Sequence, residues 1–92
     1  MRQMKAIVTV LGKDQKGIIA KVCTYLAEKD VNVLEISQTI VNGFFDMLMI
    51  VDITDSKSTP GELAGGLKEL GENLGLSVNF HREEIFESMH RI

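Results

Sequence analysis

The dipeptide Asn42-Gly43 lies between two alternating runs, and no other feature of the chain restricts its fold so tightly. Both residues tolerate the positive φ angles of a type I′ turn, the geometry that folds two strands back with their natural twist. Over residues 33–41, Leu34, Ile36 and Ile40 alternate with Glu35, Ser37 and Thr39, and Gln38 interrupts the apolar face. Over residues 44–53, Phe45, Met47, Met49, Val51 and Ile53 share one face while Phe44, Asp46, Leu48, Ile50 and Asp52 share the other. A strand apolar on both faces belongs inside a sheet, and its half-polar neighbour belongs at an edge.

On each side of this hairpin the chain carries one more strand and one helix. Upstream, residues 4–11 read as a strand, since Ala6 to Leu11 is apolar apart from Thr9. Residues 15–29 read as an amphipathic helix, with Ile18, Ile19, Val22, Cys23 and Leu26 recurring at steps of three and four. Downstream, Thr59, Pro60 and Glu62 have the spacing of an N-cap, a first helical residue and the returning carboxylate of a capping box. Leu63, Leu67, Leu70 and Leu74 then step along one face, and Gly75 is placed to end the helix in a left-handed cap. Gly65, Gly66 and Gly71 weaken that helix by about 1 kcal/mol each against alanine, so packing must hold it. Leu76, Val78 and Phe80 alternate in a last strand expected over residues 76–83, and Ile85, Phe86, Met89 and Ile92 suggest a short helical tail over residues 84–92.

The order strand, helix, strand, strand, helix, strand admits few compact arrangements once crossovers are right-handed. The simplest is an α+β ferredoxin-like βαββαβ plait, a four-stranded antiparallel sheet in order 4-1-3-2 with two helices on one face. Ninety-two residues form one domain, 1–92, able to bury roughly two-thirds of the surface that the unfolded chain exposes.

Composition removes several functions. Net charge is -3 and the ten Lys and Arg are scattered, which disfavours nucleic acid as a direct partner. The single cysteine, Cys23, allows no internal disulfide and reads as core filler. Residues 1–5 lack the apolar stretch of a signal peptide and no run approaches membrane-spanning length, so a cytoplasmic protein with no membrane partner is expected. His81 and His90, the only histidines, fit no compact zinc motif, and neither metal nor cofactor is expected. The segment Gly12-Lys13-Asp14-Gln15-Lys16-Gly17 offers lysines and an aspartate where a phosphatase plait would need arginine and asparagine, and no Cys-x-x-Cys for a metallochaperone. The expectation is a protein that binds and does not catalyse.

The same segment joins an apolar strand to an apolar helix, and a helix start offers unpaired N–H groups to a small anion. The pattern Gly12-x-Asp14-x-x-Gly17-Ile18, the helix after it and Asp30-Val31-Asn32-Val33 resemble the ACT domain family, small plaits that bind amino acids and regulate metabolism. The stretch through Ile36, Gln38, Gly43, Met47 and Asp52, with the ending Ile85-Phe86-Glu87-Ser88-Met89-His90-Arg91-Ile92, is similar to free-standing bacterial single ACT domains related to the glycine cleavage system transcriptional repressor. Lys16 stands where many loops of that family carry proline.

The resemblance implies an amino-acid site at Gly12, Asp14, Gln15, Gly17 and Asn32, with Lys13 and Lys16 adding positive field. The ligand carboxylate would take backbone N–H bonds, and Asp14 or the Asn32 amide would hold its ammonium group. Micromolar affinity needs about 8 kcal/mol, whereas a charge-assisted hydrogen bond nets about 1.5–3 and a helix dipole at most about 2. One open loop is therefore insufficient. The edge strand bearing Val33, Leu34, Ile36, Ile40 and Val41 predicts a homodimer whose twofold brings the Asn32 end of one copy near the loop of the other. The expected function is a regulatory module acting on a protein partner in trans. The alternative is a protein–protein adaptor without a small ligand, in which Asp14 only caps the first helix and Asn32 only starts a strand.

Overall fold

The computed structural model describes residues 4–82, and Glu83 and the tail expected over residues 84–92 lie outside the described residues. Six elements follow in order: β1 (Lys5–Lys13), α1 (Ile18–Glu28), β2 (Asn32–Val41), β3 (Phe44–Asp52), α2 (Pro60–Leu74) and β4 (Leu76–Arg82). The strands form one antiparallel sheet in order β2-β3-β1-β4, the 4-1-3-2 arrangement read from the other edge. Asn42 and Gly43 take φ values of 51° and 80°, as a type I′ turn demands. The fold is the ferredoxin-like plait that alternation and crossover handedness predict.

Burial divides the sheet into two unlike faces. Ala6, Val8 and Val10 of β1 pair with Val51, Met49 and Met47 of β3, and all six are buried. Ile18, Val22 and Leu26 of α1 and Leu63 and Leu67 of α2 join the same cluster, so both helices cover that one face. Each such side chain contributes about 1.5–3 kcal/mol on leaving water. Leu11, Val41 and Phe44 lie on the opposite face, at 54%, 58% and 58% exposure.

The edge strand β2 departs from simple alternation. Val33 pairs with Val51 but Glu35 pairs with Ile50, so Leu34 is an extra residue in a β-bulge. Beyond it, Ile36, Gln38 and Ile40 oppose Met49, Met47 and Phe45 and so share the helix-covered side with Val33. Leu34 therefore does not continue the face of Ile36 and Ile40, which corrects the expected alternation. A single added residue reverses the order of in and out, and composition gives no sign of it.

Both helices end in geometry that their sequences explain. After α1, Asp30 adopts the left-handed conformation (φ 58°), its N–H donates to the Ala27 carbonyl, and the Val31 N–H donates to the Leu26 carbonyl. This is a Schellman closure, and the buried pair Leu26 and Val31 supplies its apolar contact. At α2 the Thr59 N–H donates to Glu62 Oε1 (2.8 Å) and the Glu62 N–H donates to Thr59 Oγ1 (3.1 Å), completing the capping box. Hydrogen bonding by the Thr59 backbone, then by its side chain, holds the Glu62 carboxyl below its ordinary value of 4.5.

The glycines of α2 are not equivalent. A Cβ on Gly71 would stand 2.7 Å from Val78 Cγ2 and 2.8 Å from the Leu76 carbonyl oxygen, because the helix rests directly on β4. One on Gly66 would collide with the Tyr25 hydroxyl, whereas one on Gly65 would meet nothing within 4 Å. Gly65→Ala is expected to stabilise the protein by about 0.5–1 kcal/mol, and Gly71→Ala to destabilise it by about 1–3 kcal/mol despite the same gain in helix propensity. Urea unfolding of the two variants checks the opposite signs. The folded protein binds the Glu62 proton less tightly than the unfolded chain does, so the capping contribution is present above pH 4.5 and is lost as pH falls through the lower folded value. Melting temperature should fall on acidification through that window, and Glu62→Gln should flatten the slope.

Candidate functional site

The loop after β1 is fixed at three points. The Asp14 N–H donates to the Gly43 carbonyl at 2.8 Å, tying the loop to the β2–β3 turn. Gln15 Nε2 donates to the Leu74 carbonyl at 2.8 Å, satisfying the last turn of α2. Gly17 takes φ 81°, a left-handed conformation that a Cβ would strain, and is the N-cap of α1. β1 runs two residues past its expected end at Leu11, because Gly12 and Lys13 still pair with Phe45 and Phe44.

These ties move the start of α1. The helix begins at Ile18 and not at Gln15, since Asp14 and Gln15 are engaged elsewhere and Gly17 has turned the chain the wrong way for a helix. Asp14 is consequently not a cap, which removes the plainer explanation for its presence. Among the described residues no side chain caps α1, and its first turn carries no acidic residue. Its leading amides keep their capacity to hold an anion.

Beside this helix start lies a pocket of about 250 Å³. Asp14, Gln15 and Gly17 form one wall and Ile18, Ile19 and Ala20 the next, with Gln38, Ile40 and Phe45 from the hairpin closing a third side. The volume falls below the roughly 300–1,000 Å³ typical of sites for drug-sized ligands and suits a molecule with few heavy atoms. Its chemistry combines a carboxylate, backbone donors and an apolar floor. An amphoteric ligand with a small side chain matches that set.

Of the residues expected at the site, Asp14, Gln15 and Gly17 line the pocket. Gly12 and Lys13 lie just before it at the end of β1. Asn32 does not join them within one chain: it opposes Asp52, whereas Gly12 opposes Phe45, seven residues away along β3. At about 3.4 Å per residue that separation is about 24 Å, so Asn32 does not reach the loop of its own chain. Gln38, Ile40 and Phe45 are pocket residues that the loop motif alone does not reveal. The one sequence signal for them is the polar Gln38 on an otherwise apolar face.

The sequence model of the ACT domain matches residues 5–81, from the first residue of β1 to the last but one of β4. The chain belongs to the ACT domain family. A UPF0237 protein of Bifidobacterium longum is 53% identical over 88 residues, covering 96% of this chain and 98% of that protein. An ACT domain protein from Streptococcus pneumoniae superposes with a TM-score of 0.81 at 37% identity, over 94% of this chain and 97% of the other. A candidate glycine cleavage system transcriptional repressor shares the fold, with a TM-score of 0.77 at 21% identity, over 89% of this ACT domain and 47% of that chain. Among the described residues no helix is long and apolar enough to cross a membrane, and no three His, Cys, Asp or Glu side chains are grouped to hold a metal.

Proposed function

We propose that this ACT domain is a non-catalytic cytoplasmic regulator that binds an amino acid in the pocket between α1 and β2, completes the site by pairing with a second copy along β2, and acts on a protein partner in trans. The observation that carries this reading is the state of β2. It is an edge strand of ten residues, and Leu34, Ile36, Ile40 and Val41 are 42%, 43%, 55% and 58% exposed. Past the bulge at Leu34, an edge with so much apolar surface and a single charge, Glu35, is open to pairing with another strand.

The ligand fits the donors available. Its carboxylate sits at the uncapped start of α1, and its ammonium group faces the Asp14 carboxylate. Antiparallel pairing about a twofold sends the Asn32 end of one β2 toward the Val41 end of the other, beside the partner's pocket. Ile40 lies in the pocket and on the pairing strand alike, so occupancy and association are linked by mass action. Lys13 and Lys16 are exposed near the pocket and add attraction for the carboxylate.

A second reading, an adaptor that binds a protein and no small molecule, is favoured by the patch of Leu11, Val41 and Phe44 on the uncovered sheet face. Melting the purified protein with each of the twenty amino acids separates the two. A ligand at one hundred times its Kd should add about 2.7 kcal/mol of stability, and silence across the whole panel favours the adaptor. Asp14→Ala and Asn32→Ala should abolish the ligand-induced shift while sedimentation still reports a dimer. Ile36→Lys should yield a monomer that no longer responds. If Asp14→Ala and Asn32→Ala respond as the wild type does, the pocket is misplaced.

A further inference from the structure

Gln38 is the only polar side chain on the helix-covered side of β1, β2 and β3. Register places it opposite the buried Met47 and in the row of Val33, Ile36 and Ile40. Gln38 is exposed at this edge, and its carboxamide makes no side-chain hydrogen bond to another described residue, which leaves it available to a ligand. It lines the pocket together with Asp14, Ile18, Ile40 and Phe45.

We propose that Gln38 sets the side-chain selectivity of this pocket, favouring amino acids whose side chains end in a neutral hydrogen-bonding group, a hydroxyl or a carboxamide. This rests on the reading of the pocket as an amino-acid site. The ligand's carboxylate and ammonium groups are directed to the start of α1 and to Asp14, which leaves the side chain pointing at the β2 wall. Gln15 is held toward the end of α2, because its Nε2 donates to the Leu74 carbonyl.

The chemistry of a carboxamide selects the class. It offers two donors and one acceptor oxygen, so it pairs with a group that can donate, accept or do both. A wholly apolar side chain would leave Gln38 unpaired once a second copy has closed the edge, and sites built to hydrogen-bond a ligand reject the analogue lacking that bond. At the Gln38 wall a charged side chain would shed its water against Ile18, Ile40 and Phe45 and gain a neutral amide there, while Asp14 and the nearby lysines are engaged with the ligand's own ammonium and carboxylate groups. A neutral polar tip avoids both penalties.

Threonine and valine are nearly isosteric and differ in the group that Gln38 would read. Calorimetric titration of the wild type with serine, threonine, asparagine, glutamine, valine, leucine, aspartate and lysine should place the strongest binder among the first four, with threonine at least about tenfold tighter than valine. Gln38→Met, which keeps the unbranched stem and removes the amide, should reverse the order of threonine and valine, and Gln38→Leu gives the same comparison if the thioether disturbs β2. An unchanged ratio of threonine to valine in either folded variant, or a wild type that prefers valine or lysine, overturns the role of Gln38 while leaving the amino-acid site standing. A wild type that binds none of the panel overturns both.

Discussion

The antiparallel pairing of β1 with β3 decides the direction in which every other part of the molecule faces. Ala6, Val8 and Val10 opposite Val51, Met49 and Met47 make one buried row, and both helices pack on it. A slip of one residue would exchange that row for Lys5, Ile7, Thr9 and Leu11, placing an amine and a hydroxyl under the helices. Burial on a single side thus pins the register. The register in turn brings the end of β1 level with the β2–β3 turn.

From that alignment the loop acquires its shape. Asp14 meets Gly43 because β1 and β3 finish together, and Gln15 meets Leu74 because α2 ends over β4 on the other flank. The pocket is therefore a junction of three segments and not a property of the loop alone. Its hairpin wall comes from Gln38, Ile40 and Phe45, which enter only through strand pairing. Close approach of α2 to β4 at Gly71 supports the same corner from below, since any side chain there would push the helix end away from Gln15.

Much of this was legible in the residues themselves. Alternation in β3, the Asn42-Gly43 turn and the Thr59, Pro60 and Glu62 signature all act through contacts between near neighbours, and the structure reproduces each. The start of α1 was not legible, because the bonds that hold Asp14 and Gln15 out of the helix come from Gly43 and Leu74, far along the chain. The bulge at Leu34 escaped for a similar reason: it is a relation between β2 and β3, and neither strand records it alone. The motif residues Asp14, Gln15 and Gly17 marked one wall of the pocket, and the opposite wall required the fold.

The bond from Gln15 to Leu74 spans 59 positions. A chain made from its N-terminus exposes the glutamine long before the carbonyl it will bind has been synthesised, and the bond can close only once residue 74 is in place. The loop therefore reaches its final form only after the second helix has docked. A partly folded molecule with its central hairpin already in place would still lack that clasp, so a competent pocket reports that the whole plait has been assembled.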